Sequence, residues 1–370
     1  MKRKIVVLLL TLAMVFSLGA CGGSDTSDLT EVQIGVVVSD PTNSEVIQLV
    51  DYLNYLSENM PVSFKISEKI SNAEDELSFI EECAISGCRG IIGQYSSNAE
   101  AAIAKCEEYE LYYTSASACK DEEIYNANKE NPYFLGGVTY GSGDYDALYE
   151  MGKYLTSIGC EKIVYASGGA DFGIQMFVDR QNGFKAALDE AGLVYDDAVI
   201  TVSGFPNDSF FAAQQAALSE DIDAVCASFN GVDYWVAPMA SNGLTDTVPL
   251  ASYGSLNDTY VQAMEDGALA VLAAVNVQKY GIEVAMIFNA VNGDAAVLKE
   301  DGATATVVSI PVWLFTNVED AKKIYDIQQN DKIFNADDIL SLCTSYNSEA
   351  TYQTLLDLLD SSTVENLLAR

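Results

Sequence analysis

Ile34-Gly35-Val36-Val37-Val38 is an apolar run that turns directly into the short polar stretch Ser39-Asp40-Pro41-Thr42-Asn43-Ser44-Glu45. Five apolar residues without alternation read as a strand buried on both faces, as in a parallel sheet covered by helices on both sides. Thr42 with Glu45 three residues on predicts a capping box, and Val46, Ile47, Leu49, Val50, Leu53 and Leu56 form the stripe of the helix that follows. The same alternation continues outward. Strands are expected at 62–66, 89–94, 111–115 and 133–138, with helices at 74–86 and 98–109, until Gly141-Ser142-Gly143 marks a break. A second series repeats that grammar: strands at 162–166, 198–202, 224–228, 248–252 and 269–275, with helices at 145–158, 174–190, 210–218, 233–241 and 260–265. No residue-level repeat accompanies it, so the expectation is two similar lobes and not a solenoid. Beyond Asn276, a helix at 278–291 and a strand at 304–309 are expected to rejoin the first lobe. Residues 311–315 cross back, and helices around 318–328 and 352–368 close the chain.

The amino end is read as removable. Lys2, Arg3 and Lys4 precede an apolar stretch at 5–16, too short for an ordinary spanning helix, and then Leu18-Gly19-Ala20-Cys21. The last four residues resemble the bacterial lipobox, in which the cysteine is acylated and the chain is cut before it. Residues 1–20 are therefore expected to be a lipoprotein signal peptide, Cys21 the lipidation site, and 21–30, small and polar, a flexible tether. The folded body is expected from residue 31, extracytoplasmic and anchored to a bacterial cell membrane.

The formal net charge is −35; without the leader, sixteen basic residues face fifty-four acids, giving −38. Such a surface repels nucleic acid and anionic lipid head groups. The chain has no histidine, which excludes imidazole triads and histidine-containing metal sites. Seven cysteines follow Cys21, at 83, 88, 106, 119, 160, 226 and 343, none in a Cys-x-x-Cys spacing. A helix end followed by a turn would be needed to bring Cys83 and Cys88 together. No dinucleotide fingerprint or P-loop occurs. Asp144 with Asp146 reads as a solvated loop pair, and Asp40 with Asp171 is the one carboxylate pair that could serve a hydrolase. The reading is of a non-enzyme without metal or cofactor.

Five motifs fall in order along the body: Ile34-Gly35-Val36-Val37-Val38, Cys88-Arg89-Gly90-Ile91-Ile92, Glu161-Lys162-Ile163, Arg180-Gln181-Asn182-Gly183-Phe184, and Ile222-Asp223-Ala224-Val225 with Asn230. Together they resemble the type I periplasmic binding proteins, which include ribose and galactose receptors and the ligand domain of lac-repressor-like regulators. The resemblance covers residues 31–310. It implies an α/β fold of two Rossmann-like lobes, each with a parallel sheet, joined by a three-crossover hinge and closing on a small solute. The implied division is 31–138 and 277–310 for the first lobe and 139–276 for the second, with 311–370 as its closing segment and a C-terminal extension.

In open parallel sheets ligands bind beyond the carboxyl ends of the strands. The residues there are Asp40, Asn43, Gln94, Tyr95 and Ser117 in the first half. Tyr140 follows at the first crossover, then Asp171, Phe172, Arg180, Phe205, Asn230 and Tyr253 in the second half, and Asn276 at the second crossover. Rings stack on the apolar face of a sugar while amides and Arg180 bond vicinal hydroxyls. Asp40 alternatively shapes its Asp-Pro turn, and Asn230 alternatively caps a helix. Trp235 reads as a packed helix residue. Sugar receptors of the family carry carboxylates where this chain has Thr114-Ser115-Ala116-Ser117 and Ser252-Tyr253-Gly254. With Arg180 unpaired, a sugar acid stays open, as does a nucleoside. The expected function is a monomeric, lipid-anchored receptor that delivers a small polyhydroxy ligand to an ABC transporter permease. The alternative is a sensor for a membrane histidine kinase or chemoreceptor.

Overall fold

A computed structural model describes residues 31–300 and 305–370. The leader, Cys21 and the tether lie outside the described residues. The strands are β1 (Val32–Val37), β2 (Val62–Ile66), β3 (Gly90–Gly93), β4 (Tyr112–Thr114), β5 (Phe134–Thr139), β6 (Ile163–Gly168), β7 (Val199–Ser203), β8 (Ala224–Ala227), β9 (Leu250–Ser255), β10 (Val271–Val275), β11 (Thr306–Ser309) and β12 (Trp313–Phe315). They form two six-stranded sheets, ordered β11-β5-β4-β3-β1-β2 and β12-β10-β9-β8-β6-β7. Every pairing is parallel except β10 with β12. The chain therefore passes between the two sheets three times, after β5, after β10 and after β11, and β12 lies at the edge of the second sheet.

Helices cover both faces of each sheet, and the strands are buried accordingly: β5, β6, β9 and β10 have no exposed residue. Several boundaries differ from expectation. The first helix (Ser44–Asn59) is capped by Asn43, whose Oδ1 accepts the Glu45 N–H at 2.9 Å, and not by Thr42, which bonds Asp40 instead. Two short helices, Ala116–Lys120 and Glu122–Asn128, were not anticipated, because one or two turns carry no readable period. β9 runs on to Ser255, three residues past its expected end.

The carboxyl-terminal segment straddles both lobes. Helix Val318–Asn330 packs on β12 and on helix Asp258–Glu265, while helix Ala336–Ser341 packs on the first-lobe helices Ser44–Asn59 and Tyr280–Val291. Gln278, at the second crossover, holds the join. Its Nε2 donates to Gln328 O at 2.9 Å, and its Oε1 accepts the Ile333 N–H at 2.6 Å. Gln278→Leu strands those two buried backbone groups and should cost about 2–4 kcal/mol, since each orphan carries its own desolvation penalty. A lowered urea midpoint with faster proteolysis around 328–335 is the expected reading. An unchanged midpoint would mean that the segment is held elsewhere.

Candidate functional site

The crossovers place the carboxyl ends of both sheets against one another. Lys120, six residues past β4, forms an ion pair with Asp144, which follows the first crossover. Gln48, on the helix after β1, donates through Nε2 to Leu256 O, just past β9, at 2.7 Å. The candidate cleft is the seam between the lobes that these two contacts bridge.

Arg180 sits at its second-lobe wall, on helix Gln175–Glu190 and only 6% exposed. Gly183 explains the geometry. A Cβ there would lie 2.1 Å from Tyr145 O, so only glycine lets this helix close on helix Gly143–Ser157 and bring Arg180 to Asp144. Nε and Nη2 of Arg180 donate to Asp144 Oδ1 at 3.0 and 2.8 Å, and Nη1 donates to Ser228 O at 2.7 Å. The guanidinium carbon lies 3.5 Å from the centre of the Tyr253 ring. Three of the five guanidinium hydrogens are thus committed, leaving two.

Two expectations are corrected here. Arg180 is not unpaired, and Asp144 is not a solvated loop residue; it is 3% exposed, whereas its neighbour Asp146 is at the surface. Burial opposes the Asp144 charge, but Arg180 and Lys120 outweigh it and hold the carboxyl below its ordinary range. Asp144 thereby returns to the cleft a carboxylate that the motifs lacked.

Gln94 directly follows β3, Asn276 follows β10, and Tyr253 lies inside β9 instead of beyond it. Each carries a buried polar atom without a hydrogen-bond partner: Gln94 Oε1, Asn276 Nδ2 and Tyr253 OH. Asn276 Oδ1 is engaged by the Gln278 N–H at 3.0 Å. Burial, then the Asp144 carboxylate, keep the Tyr253 phenol protonated. The loop carrying Gln94 and Tyr95 is fixed from behind by Glu76, which accepts the Ser96 hydroxyl at 2.7 Å and the Ser97 N–H at 2.8 Å.

Asn230 occupies a helix N-cap position at φ 37°, ψ 45°, yet its side chain makes no capping bond. Tyr140 is half-buried at the first crossover, 5.3 Å from Lys279 Nζ. Phe172 and Phe205 stack at the second-lobe rim with centroids 6.5 Å apart, 68% and 40% exposed. Asp171 lies exposed in the same short helical turn as Phe172, weakly held by the Ser167 hydroxyl at 3.4 Å. Ser117 is exposed and bonds Ser115, and Tyr95 is also exposed.

Asp40 stands apart. Its Oδ1 accepts both the Thr42 N–H and hydroxyl, at 2.9 and 2.6 Å, and its Oδ2 pairs with Lys69 at 3.0 Å. The Thr42 bonds and Lys69 lower its pKa to about 2, so this carboxylate serves its own turn. Asn43 likewise spends its Oδ1 on the helix cap. Trp235 is fully buried against Phe210.

Besides Lys120, three charged residues at the site do not figure in the sequence analysis as ligand contacts. Lys279 is buried at the second crossover beside Glu283, and Glu45 is half-buried in the first turn after β1. Burial raises the Glu45 carboxyl above its ordinary range against the pull of Lys279 and Arg180. Glu45 had been read only as a capping partner, and its place after β1 was the available signal.

No protein-family model matches the chain, and no curated protein does. Solved structures do match. The arabinose-binding component of a Shewanella sp. ANA-3 ABC transporter, bound to arabinofuranose, aligns with TM-score 0.59 at 14% identity, over 81% of this chain and 96% of that one. A D-allose-bound solute-binding protein from Actinobacillus succinogenes aligns with TM-score 0.63 at 14% identity, over 79% and 99%. A LacI-family transcriptional regulator from Silicibacter pomeroyi aligns with TM-score 0.56 at 19% identity, over 77% and 98%. The fold is that of the type I periplasmic binding proteins.

Proposed function

We propose that the protein is an extracytoplasmic, lipid-anchored receptor that captures a small neutral polyhydroxy ligand between its lobes and presents it to an ABC transporter permease. The observation that carries this is that, of the eight buried side-chain polar atoms without a partner among the described residues, three belong to candidate ligand contacts: Gln94 Oε1, Tyr253 OH and Asn276 Nδ2. Buried polar atoms are rarely left without partners, and these three come from the first lobe, the second lobe and the crossover between them. An acceptor, a donor and a phenol, with two free Arg180 hydrogens, match the alternating donor and acceptor character of vicinal hydroxyls.

Charge decides against an anion. Arg180 and Lys120 share the one Asp144 carboxylate and Lys279 lies beside Glu283, so three cations face two acids in these pairs. Glu45 adds a carboxylate to the same region. A sugar acid would therefore meet cations already neutralised, which removes the reason for expecting one. Closure is favoured only to the extent that ligand contacts from both lobes are missing in the open state. The solute receptors that share this fold support the import reading, and the fold is shared with a transcriptional regulator too, so the strong negative charge matters: it disfavours DNA as a partner.

A thermal-shift screen of neutral monosaccharides, cyclitols, sugar acids and nucleosides tests the ligand class. A ligand at ~100 times its Kd should add about 2.7 kcal/mol of stability. Neutral sugars or cyclitols are expected to raise Tm and sugar acids to leave it unchanged. Stabilisation by sugar acids alone would overturn the charge reasoning.

A further inference from the structure

On the far side of the first lobe from the cleft, helix Ala73–Ser86 ends in a left-handed glycine, Gly87, at φ 92° and ψ 14°. The Gly87 N–H donates to Ala84 O at 3.2 Å and the Cys88 N–H to Cys83 O at 2.9 Å. These two bonds make a Schellman turn, which folds the second residue past the helix back onto the side chain one turn earlier. In this chain those two residues are Cys88 and Cys83.

Both thiols lie over the same strip of β1. A Cβ at Gly35 would stand 2.6 Å from Cys83 Sγ, and Cys88 Sγ is 3.6 Å from Gln33 Oε1. Positions 33 and 35 project to one face of the strand, so the two sulfurs are neighbours in space as well as through the turn. The helix end and turn needed to bring the pair together are therefore present.

We propose that Cys83 and Cys88 form a reversible intramolecular disulfide across this helix end. The chemistry of the pair supports the choice. Among the seven thiols of the described residues, Cys88 alone is shifted down, through hydrogen bonding from Cys83 and then Ser86 against the opposing effect of burial, while the same contact pushes Cys83 up. Burial pushes Cys106, Cys119, Cys160, Cys226 and Cys343 up and keeps them as thiols. The thiolate is the attacking form, so Cys88 reacts first.

The co-reactant is a small disulfide of the glutathione type. Fraying of the helix end exposes the otherwise buried Cys88, whose thiolate attacks one sulfur of that disulfide and expels the other half as a thiolate, which takes up a proton. Cys83 then loses its proton and attacks Cys88 Sγ, expelling the second half. Two protein thiols are oxidised, one small disulfide is reduced to two thiols, and the protons balance. The crosslink pins the junction between the helix and β3 and protects the one nucleophilic thiol from irreversible oxidation.

A single peptide reports the outcome. Lys69 and Arg89 bracket both cysteines, so trypsin releases residues 70–89 with Cys83 and Cys88 and no other cysteine. The folded protein is equilibrated across a ladder of reduced and oxidised glutathione, quenched in acid, alkylated and digested. Toward the oxidising end, this peptide is expected two hydrogens lighter than its reduced form and unalkylated, while the peptides of Cys106, Cys119, Cys160, Cys226 and Cys343 stay alkylated. In Cys83→Ser, Cys88 should instead retain a glutathione adduct. Recovery of the wild-type peptide doubly alkylated across the whole ladder, or as a persistent glutathione adduct, would overturn the proposal.

Discussion

Arg180→Ala should abolish ligand binding and lower stability by about 3 kcal/mol or more, because removing one member of a buried ion pair leaves the other's desolvation uncompensated. Asp144 would keep only Lys120, whose side chain is 23% exposed, and Ser228 O would lose its donor. The Tyr253 ring would lose the cation stacked on it. Arg180→Lys separates the two effects. A lysine restores the charge near Asp144 but cannot bond Asp144 and Ser228 O together and still offer hydrogens to a ligand. It should recover much of the stability and little of the affinity. Urea unfolding and titration calorimetry with the ligand from the screen measure both. If Arg180→Ala proved unstable yet bound with unchanged affinity, Arg180 would be a purely structural residue, and the second-lobe wall would need to be redrawn around Asn230 and Phe205.

How much of this was legible follows from the range over which each feature is encoded. The buried strands announce themselves as unbroken apolar runs, and Arg180 through Arg-x-x-Gly-Phe, because the glycine that lets two helices touch sits three residues from the arginine it positions. Asp144 gave no such sign. Beside Asp146 in a Gly-Ser-Gly segment it looks solvated, and what buries it arrives from positions 120 and 180. Lys120 was equally hidden, on a five-residue helix too short for periodicity. Tyr253 was placed past its strand because Ser252-Tyr253-Gly254-Ser255 lacks the apolar character of a strand. Yet Gly254 leaves room for the Tyr260 ring, within 2.5 Å of where a Cβ would stand, so the strand continues in close contact with the helix over it. The carboxyl-terminal helices were visible as elements. Their attachment to both lobes depends on Gln278, a single amide some fifty residues upstream of its partners, and no local pattern reports that.

The second large effect is expected at Glu283, which is fully buried on helix Tyr280–Val291. β4 ends at Thr114, opposite Gly136, so Val138 extends past it with peptide groups that no strand on that side can bond. Side chains take the strand's place. Glu283 Oε1 accepts the Val138 N–H at 3.0 Å, Lys279 Nζ donates to Val138 O at 2.6 Å, and Glu283 Oε2 accepts the Thr114 hydroxyl at 2.9 Å. The two charges are 3.9 Å apart, and Lys279 Nζ also lies 4.1 Å from the Tyr280 ring centre. Burial pushes the Glu283 carboxyl up and the Lys279 ammonium down, each toward its neutral form, so the pair endures by mutual attraction and by its backbone bonds. Glu283→Ala removes the acceptor from Val138 and Thr114 and leaves an ammonium buried without a counter-charge. The expected loss is about 3–5 kcal/mol. Glu283→Gln keeps an acceptor of the same length and should lose less, and Lys279→Met combined with Glu283→Gln should be more stable than Glu283→Ala, because no lone charge remains buried. A double-mutant cycle in urea isolates the coupling, which should exceed ~1 kcal/mol for groups in one hydrogen-bonded network. Additive single effects would mean that Lys279 and Glu283 each serve Val138 independently, and that the first and second crossovers are not fastened to each other through this pair.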